Sequence, residues 1–138
     1  GDGPLRGEIA AAARAAGVEG AVWFAGFSPD PQVEMAGADV LLAPSAYEGL
    51  PFTPLEALAV ALPLVLSDIP PHRELVPIGG GAGVQAVPAG EREVWADAVE
   101  RVLRDLPAAR EGAHRIAAEH RVETMVDATL GVYRAASA

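Results

Sequence analysis

Asp39-Val40-Leu41-Leu42-Ala43-Pro44, followed after three residues by Glu48-Gly49-Leu50-Pro51-Phe52-Thr53-Pro54-Leu55-Glu56, is the stretch that decides the fold. The first run is apolar, begins at an acid and stops at a proline, which predicts a buried strand over 39–43. The second run carries a helix start. Thr53 is placed to cap, Pro54 suits the first helical position, and Glu56 stands three residues after the cap, so a helix is expected from Pro54 to Ala61. Strand, tight loop and helix N-terminus in that order place two carboxylates, Glu48 and Glu56, near one strand end. In open α/β sheets the crevice outside the carboxyl ends of the strands is where ligands bind.

Working outward, the same alternation continues. Leu64 to Ser67 and Val84 to Val87 read as strands, with a helical turn around Pro71 to Leu75 between them and a glycine-rich loop at 79–83. Residues 91–106 keep apolar side chains at helical spacing, Pro107 interrupts, and 108–120 and 122–136 read as two further helices. Upstream, the alanine-rich segment 5–16 is helical by propensity and Gly17 stops it; Ala21 to Ala25 reads as a short strand running into Gly26. Ser28-Pro29-Asp30-Pro31 is a turn that opens a short helix ending near Gly37. Strands alternating with helices imply right-handed crossovers and a mostly parallel sheet, hence an α/β, Rossmann-like class. The 138 residues suffice for a single domain, 1–138. Gly1-Asp2-Gly3-Pro4 reads as a strand-ending turn whose strand is expected upstream, so the chain is expected to begin inside a domain.

Composition narrows the functional classes. A net charge of −9 argues against nucleic acid, which needs a basic footprint. Cysteine is absent, which excludes disulfides, thiolate metal sites and a cysteine nucleophile. All ten basic residues are arginine, so any anion recognition here rests on arginine or on backbone amides. No apolar run reaches the roughly 20 residues that span a bilayer, and no charged-then-apolar leader opens the chain. The expectation is a cytoplasmic protein with no transmembrane segment.

The ordered series Gly1-Asp2-Gly3-Pro4, Val22-Trp23-Phe24-Ala25-Gly26, Ala38-Asp39-Val40 through Pro44-Ser45, Glu48-Gly49-Leu50-Pro51 and Leu55-Glu56-Ala57-Leu58-Ala59 is followed by Leu62 to Asp68 and Arg73-Glu74-Leu75-Val76. It resembles the C-terminal, donor-binding domain of family 4 retaining glycosyltransferases with the GT-B architecture, along residues 1 to about 136. The resemblance implies one half of a two-domain enzyme that moves a sugar from a nucleotide diphosphate sugar to an acceptor. It also implies a further, N-terminal acceptor domain, a basic pair for the donor diphosphate outside this chain, and no bound metal or other cofactor.

By the same resemblance, Glu48 faces the donor sugar as the catalytic-site carboxylate. The amides of Gly49 and Leu50, with Pro51 closing the loop, bracket the diphosphate. Glu56 takes the ribose hydroxyls, and Gly26 and Phe27 pack the base. A carboxylate suits hydroxyl recognition because it only accepts. Glu56 also has a purely structural reading, as the partner of Thr53 in a capping box. Arg73 and Glu74 lie in a segment that lines the family's cleft, or form an exposed helical turn. His72, His114 and His120 have no metal-like spacing and read as structural or surface residues. The family commonly has glycine where Ala61 stands; if the site needs a left-handed conformation, alanine costs about 1 kcal/mol there. Two other classes stay open on sequence: a non-catalytic Rossmann-like interaction module, and another GT-B-type enzyme such as a nucleotide-sugar epimerase or a phosphorylase. A phosphorylase is expected to carry a cofactor lysine, which this chain lacks.

Overall fold

The computed structural model describes residues 2–76 and 81–137. They divide into two compact units, Gly1–Pro31 and Gln32–Ala138. The part of the glycine-rich loop at Gly79 and Gly80 lies outside the described residues.

The second unit is built on a three-stranded parallel sheet in the order β1-β2-β3: β1 (Leu41–Ala43), β2 (Leu64–Ser67) and β3 (Val84–Val87). Ahead of β1 stands α2 (Pro31–Ala36), and between and after the strands come α3 (Phe52–Ala59), α4 (Pro70–Arg73), α5 (Arg92–Arg104), α6 (Leu106–Glu119) and α7 (Val122–Ala136). Strand alternation assigns the two faces. Leu64, Leu66 and Val84 pack with Ala57 and Leu58 of α3 and with Ala113 and Ile116 of α6. Val65 and Val87 pack with Ala98 and Val102 of α5 and with Ala109. Every residue of β2 is buried, which is why it reads as an unbroken apolar run. Each such aliphatic side chain contributes roughly 1.5–3 kcal/mol. With helices on both faces and parallel strands, the expected Rossmann-like α/β class is what is observed.

Several local expectations are corrected. The first strand spans only Leu41–Ala43, not 39–43. The register pairs Leu41 with Leu64, so Val40 falls opposite Pro63, whose missing amide ends the ladder there. The helix after the loop starts at Phe52, with Pro51 as its cap and no side-chain cap bond. Its first i to i−4 bond runs from Leu55 N to Pro51 O, so Thr53 and Pro54 sit inside the first turn. Proline is tolerated there because the first-turn amides have no helical acceptor anyway. Pro107 likewise stands in the first turn of α6, capped when Asp105 Oδ1 accepts from Ala108 N at 3.2 Å.

At its other end α3 stops at Ala59, two residues before the expected Ala61. Ala61 N donates to Leu58 O and Leu62 N to Ala57 O, both at 2.9 Å, the paired bonds of a Schellman motif. Its left-handed position is filled by Ala61, with φ of 56°. Farther on, β3 and α6 meet backbone to backbone. A Cβ added at Gly83 would lie 2.1 Å from Ala113 N, and one at Gly112 would lie 2.7 Å from Gly83 N.

The first unit is helix α1 (Arg6–Ala15), a 3-10 turn at Glu19–Ala21 and an extended segment to the turn at Gly26. Gly17 stops α1 in a left-handed conformation, φ 70°. The strand expected at Ala21–Ala25 is not formed. The chain from Val22 onward is extended, but it has no ladder partner among the described residues, and Trp23 is 83% exposed. Ala13 is the one buried residue of α1.

Candidate functional site

Because the strands are parallel and in register, the chain leaves β1, β2 and β3 at one edge of the sheet. The loop from Pro44 to Pro51 leaves β1 there and runs straight into α3. Both predicted carboxylates belong to this segment, Glu48 in the loop and Glu56 in the second turn of α3, and both are half-buried.

Glu48 is held. Its Oε1 accepts from Ser45 Oγ at 2.7 Å, while Oε2 makes no hydrogen bond among the described residues. One oxygen is therefore fixed by the chain and the other is left to accept from elsewhere. Glu56 has no side-chain hydrogen bond among the described residues. The shifted helix start puts it five residues past the cap, so the capping-box role is removed.

Between the carboxylates, the amides of Gly49, Leu50 and Thr53 take part in no hydrogen bond among the described residues, whereas Phe52 N is turned back onto Leu50 O at 2.9 Å. Pro54 has no amide. The mouth of α3 thus offers Thr53 N and two loop amides, fewer helical donors than a regular first turn. A methyl at Gly49 would meet nothing within 4 Å, and its φ is not in the left-handed range, so the chain itself makes no demand for glycine there. Pro51 is buried beneath the loop; Leu50 is 59% exposed.

Below this loop lies a polar cluster that the sequence did not disclose. Ser67 Oγ, at the end of β2, donates to Ser45 O. His72 Nδ1, on α4, lies 2.9 Å from Ser67 O and 3.2 Å from Ser67 Oγ. Both Ser67 and His72 are fully buried. His72 was read as structural or surface, and it is structural. The available signal was its place one turn after a strand end, behind two prolines that start a helix. Arg73, its neighbour, is exposed and holds Asp68 through 2.6 Å and 3.0 Å bonds. The Arg73 guanidinium, by hydrogen bonding and then by charge, keeps the Asp68 carboxyl below its ordinary value of 3.8. Glu74 is exposed with no side-chain bond among the described residues.

Gly26 and Phe27 belong to the first unit. Gly26 is left-handed, φ 77°. Phe27 N donates to Asp2 Oδ2 at 3.0 Å, and Asp2 Oδ1 accepts from Arg6 at 2.9 Å. Arg6 in turn stacks over the Phe24 ring, 5.3 Å from its centroid. The Phe27 amide is thereby used internally, while its ring is 80% exposed.

Elsewhere, a concavity of about 470 Å³ is lined by Leu55, Leu58, His114, His120 and Arg121 and contains none of the predicted site residues. No helix among the described residues is long and apolar enough to cross a membrane.

The sequence profile described as "Glycosyl transferases group 1" matches residues 1–105. The chain belongs to this family. Among relatives of this group 1 chain, EpsF of Bacillus subtilis (strain 168), named as a glycosyltransferase, is 38% identical over 101 residues, 73% of this chain and 26% of that protein. Alpha-D-kanosaminyltransferase of Streptomyces kanamyceticus is 34% identical over 142 residues, 97% of this chain and 36% of its own length. Of solved structures, sucrose-phosphate synthase from Thermosynechococcus elongatus superposes with a TM-score of 0.81 at 25% identity, covering 97% of this chain and 35% of that one. The group 1 chain thus spans between about a quarter and just over a third of these three proteins.

Proposed function

We propose that this chain is the donor-binding part of a retaining glycosyltransferase that takes its sugar from a nucleotide diphosphate sugar. The observation that carries the proposal is the β1–α3 segment: two half-buried carboxylates on one strand–loop–helix connection, with unengaged amides between them. In this reading Glu56 accepts from the ribose hydroxyls, and its lack of a side-chain partner among the described residues supports that role. Glu48 presents its free oxygen to the sugar hydroxyls and lies where positive charge develops at the anomeric carbon. The amides of Gly49 and Leu50 meet the diphosphate, Pro51 fixes the loop, and Gly26 and Phe27 pack the base.

Departure of the nucleotide diphosphate is then an electrostatic problem more than a proton-transfer one. The chain supplies amides and no lysine for it. The remaining positive charge and the acceptor site belong to parts of the protein outside this chain, and no metal or other cofactor enters the proposal. A cytoplasmic location fits the soluble donor.

Titration of the chain with UDP, GDP and ADP and with their glucose or mannose conjugates, followed by NMR, tests the reading. Glu56→Gln is expected to weaken nucleotide binding by about tenfold or more, as loss of a charge-assisted hydrogen bond requires. Unchanged nucleotide affinity in that variant would overturn the donor role and favour an interaction module. This polypeptide alone is expected to give no appreciable transfer from a radiolabelled donor; robust transfer would refute the division of labour.

A further inference from the structure

We propose that His72, Ser67 and Ser45 form a directed hydrogen-bond relay that positions Glu48, so that His72 is a positioning residue for the donor-sugar carboxylate. The directions follow from the acceptors. Ser67 O is a carbonyl and carries no proton, so His72 Nδ1, 2.9 Å away, must donate to it. With Nδ1 protonated, the Ser67 hydroxyl is only a second acceptor for that N–H at 3.2 Å, and its own proton is free to go to Ser45 O. The Ser45 hydroxyl, 2.7 Å from a carboxylate oxygen, gives its proton to Glu48. Every proton in the chain of contacts is thereby assigned, and all of them point from the buried α4 toward the exposed loop.

The choice of histidine supports a positioning role over simple space filling. His72 is fully buried, and its Nε2 has no hydrogen-bond partner among the described residues. A buried ring nitrogen left without a partner carries a cost that an apolar side chain of similar shape would avoid. What the imidazole provides in return is the Nδ1 donor that orients Ser67. Ser67 in turn joins the exit of β2 to the exit of β1, two residues that are twenty-two positions apart.

This inference rests on the reading of Glu48 as the sugar-facing carboxylate, and its test separates the two. In the full chain, 15N shifts of the His72 ring are expected to show a protonated Nδ1; a bare Nδ1 would overturn the relay outright. Ser45→Ala and His72→Leu are expected to shift the amide resonances of residues 46–50 and speed their hydrogen exchange without any ligand. Ser45→Thr, which keeps the hydroxyl, and His72→Asn, whose amide nitrogen replaces the Nδ1 donor, are expected to restore both. The same variants are then titrated with UDP-glucose, GDP-mannose and ADP-glucose and with the bare diphosphates. Ser45→Ala is expected to lower conjugate affinity about five- to tenfold while leaving UDP, GDP and ADP unchanged, as loss of one hydrogen bond to a charged group implies. Because Ser45 is only half-buried, its variants keep the test open even where His72→Leu does not fold. Amides of 46–50 unmoved in Ser45→Ala would sink the proposal. If they move and Glu48→Gln leaves conjugate affinity intact, the relay stands and the sugar assignment of Glu48 falls.

Discussion

The turn at Gly26–Phe27 and the loop at Ser45–Leu50 are both held by a side chain that reaches for them, and they are held in opposite ways. The first is tied by Asp2, a carboxylate with 60% of its side chain in water, paired to Arg6 with 44%. The second is tied from beneath by Ser67 and His72, neither of which touches solvent. An exposed ion pair contributes about 0–1 kcal/mol, whereas a buried donor that loses its partner costs about 1–3 kcal/mol. The units differ to match. Around β2 a continuous core has formed on both faces of the sheet, while α1 buries only Ala13. The lesson is that a ligand-facing segment is only as well determined as the layer behind it.

The comparison breaks most visibly at Gly112. A side chain there meets the Gly83 backbone, which has no rotamer to give, so Gly112→Ala is expected to cost about 3 kcal/mol or more by chemical denaturation of the second unit. An unchanged denaturation midpoint would mean that α6 does not approach β3 as closely as described.

Ala61→Gly works in the other direction. Relief of the left-handed strain at φ 56° is expected to stabilise by about 1 kcal/mol, less a few tenths for the added freedom of the unfolded chain. A loss of stability in that variant would argue against the Schellman geometry.

Asp2→Ala should leave global unfolding within about 1 kcal/mol of the parent. Its effect is expected to be local: fast hydrogen exchange at the Phe27 amide, with the amides of 46–50 untouched. Protection of Phe27 surviving the change would show that some other group holds the turn.

The smallest effect expected is electrostatic. Arg73 depresses Asp68, so the pair stabilises the fold above the ordinary carboxyl value of 3.8, and that contribution fades as the pH falls through the lower, folded value. The melting-temperature difference between the parent and Asp68→Asn, present at neutral pH, should therefore shrink on acidification below about pH 3.8. A difference that persists in strong acid would assign it to packing.

What was legible in the sequence follows the same divide. The extents of β2 and β3 and the class of the sheet could be read because Leu64-Val65-Leu66 is apolar for a simple reason: it is buried on both faces. The placement of Glu48 in the loop after β1 and of Glu56 on the following helix could be read from their context. Thr53 misled because capping preference is a local rule, and Pro51 overrode it by starting the helix earlier. Ala21–Ala25 misled for another reason: β-propensity announces an extended chain but cannot supply a partner strand. The link from Ser67 to Ser45 was invisible because the two become neighbours only after β1 and β2 pair, whereas His72 lies five residues from Ser67 and had a local signal. Gly112 likewise reads as a poor helix residue until Gly83 arrives against it.

The contact between Gly83 and Gly112 also bears on how the protein can move. Where side chains separate a helix from a sheet, rotamer changes let the two slide by fractions of an ångström. Here backbone lies on backbone, so α6 and β3 are keyed together and travel as one piece.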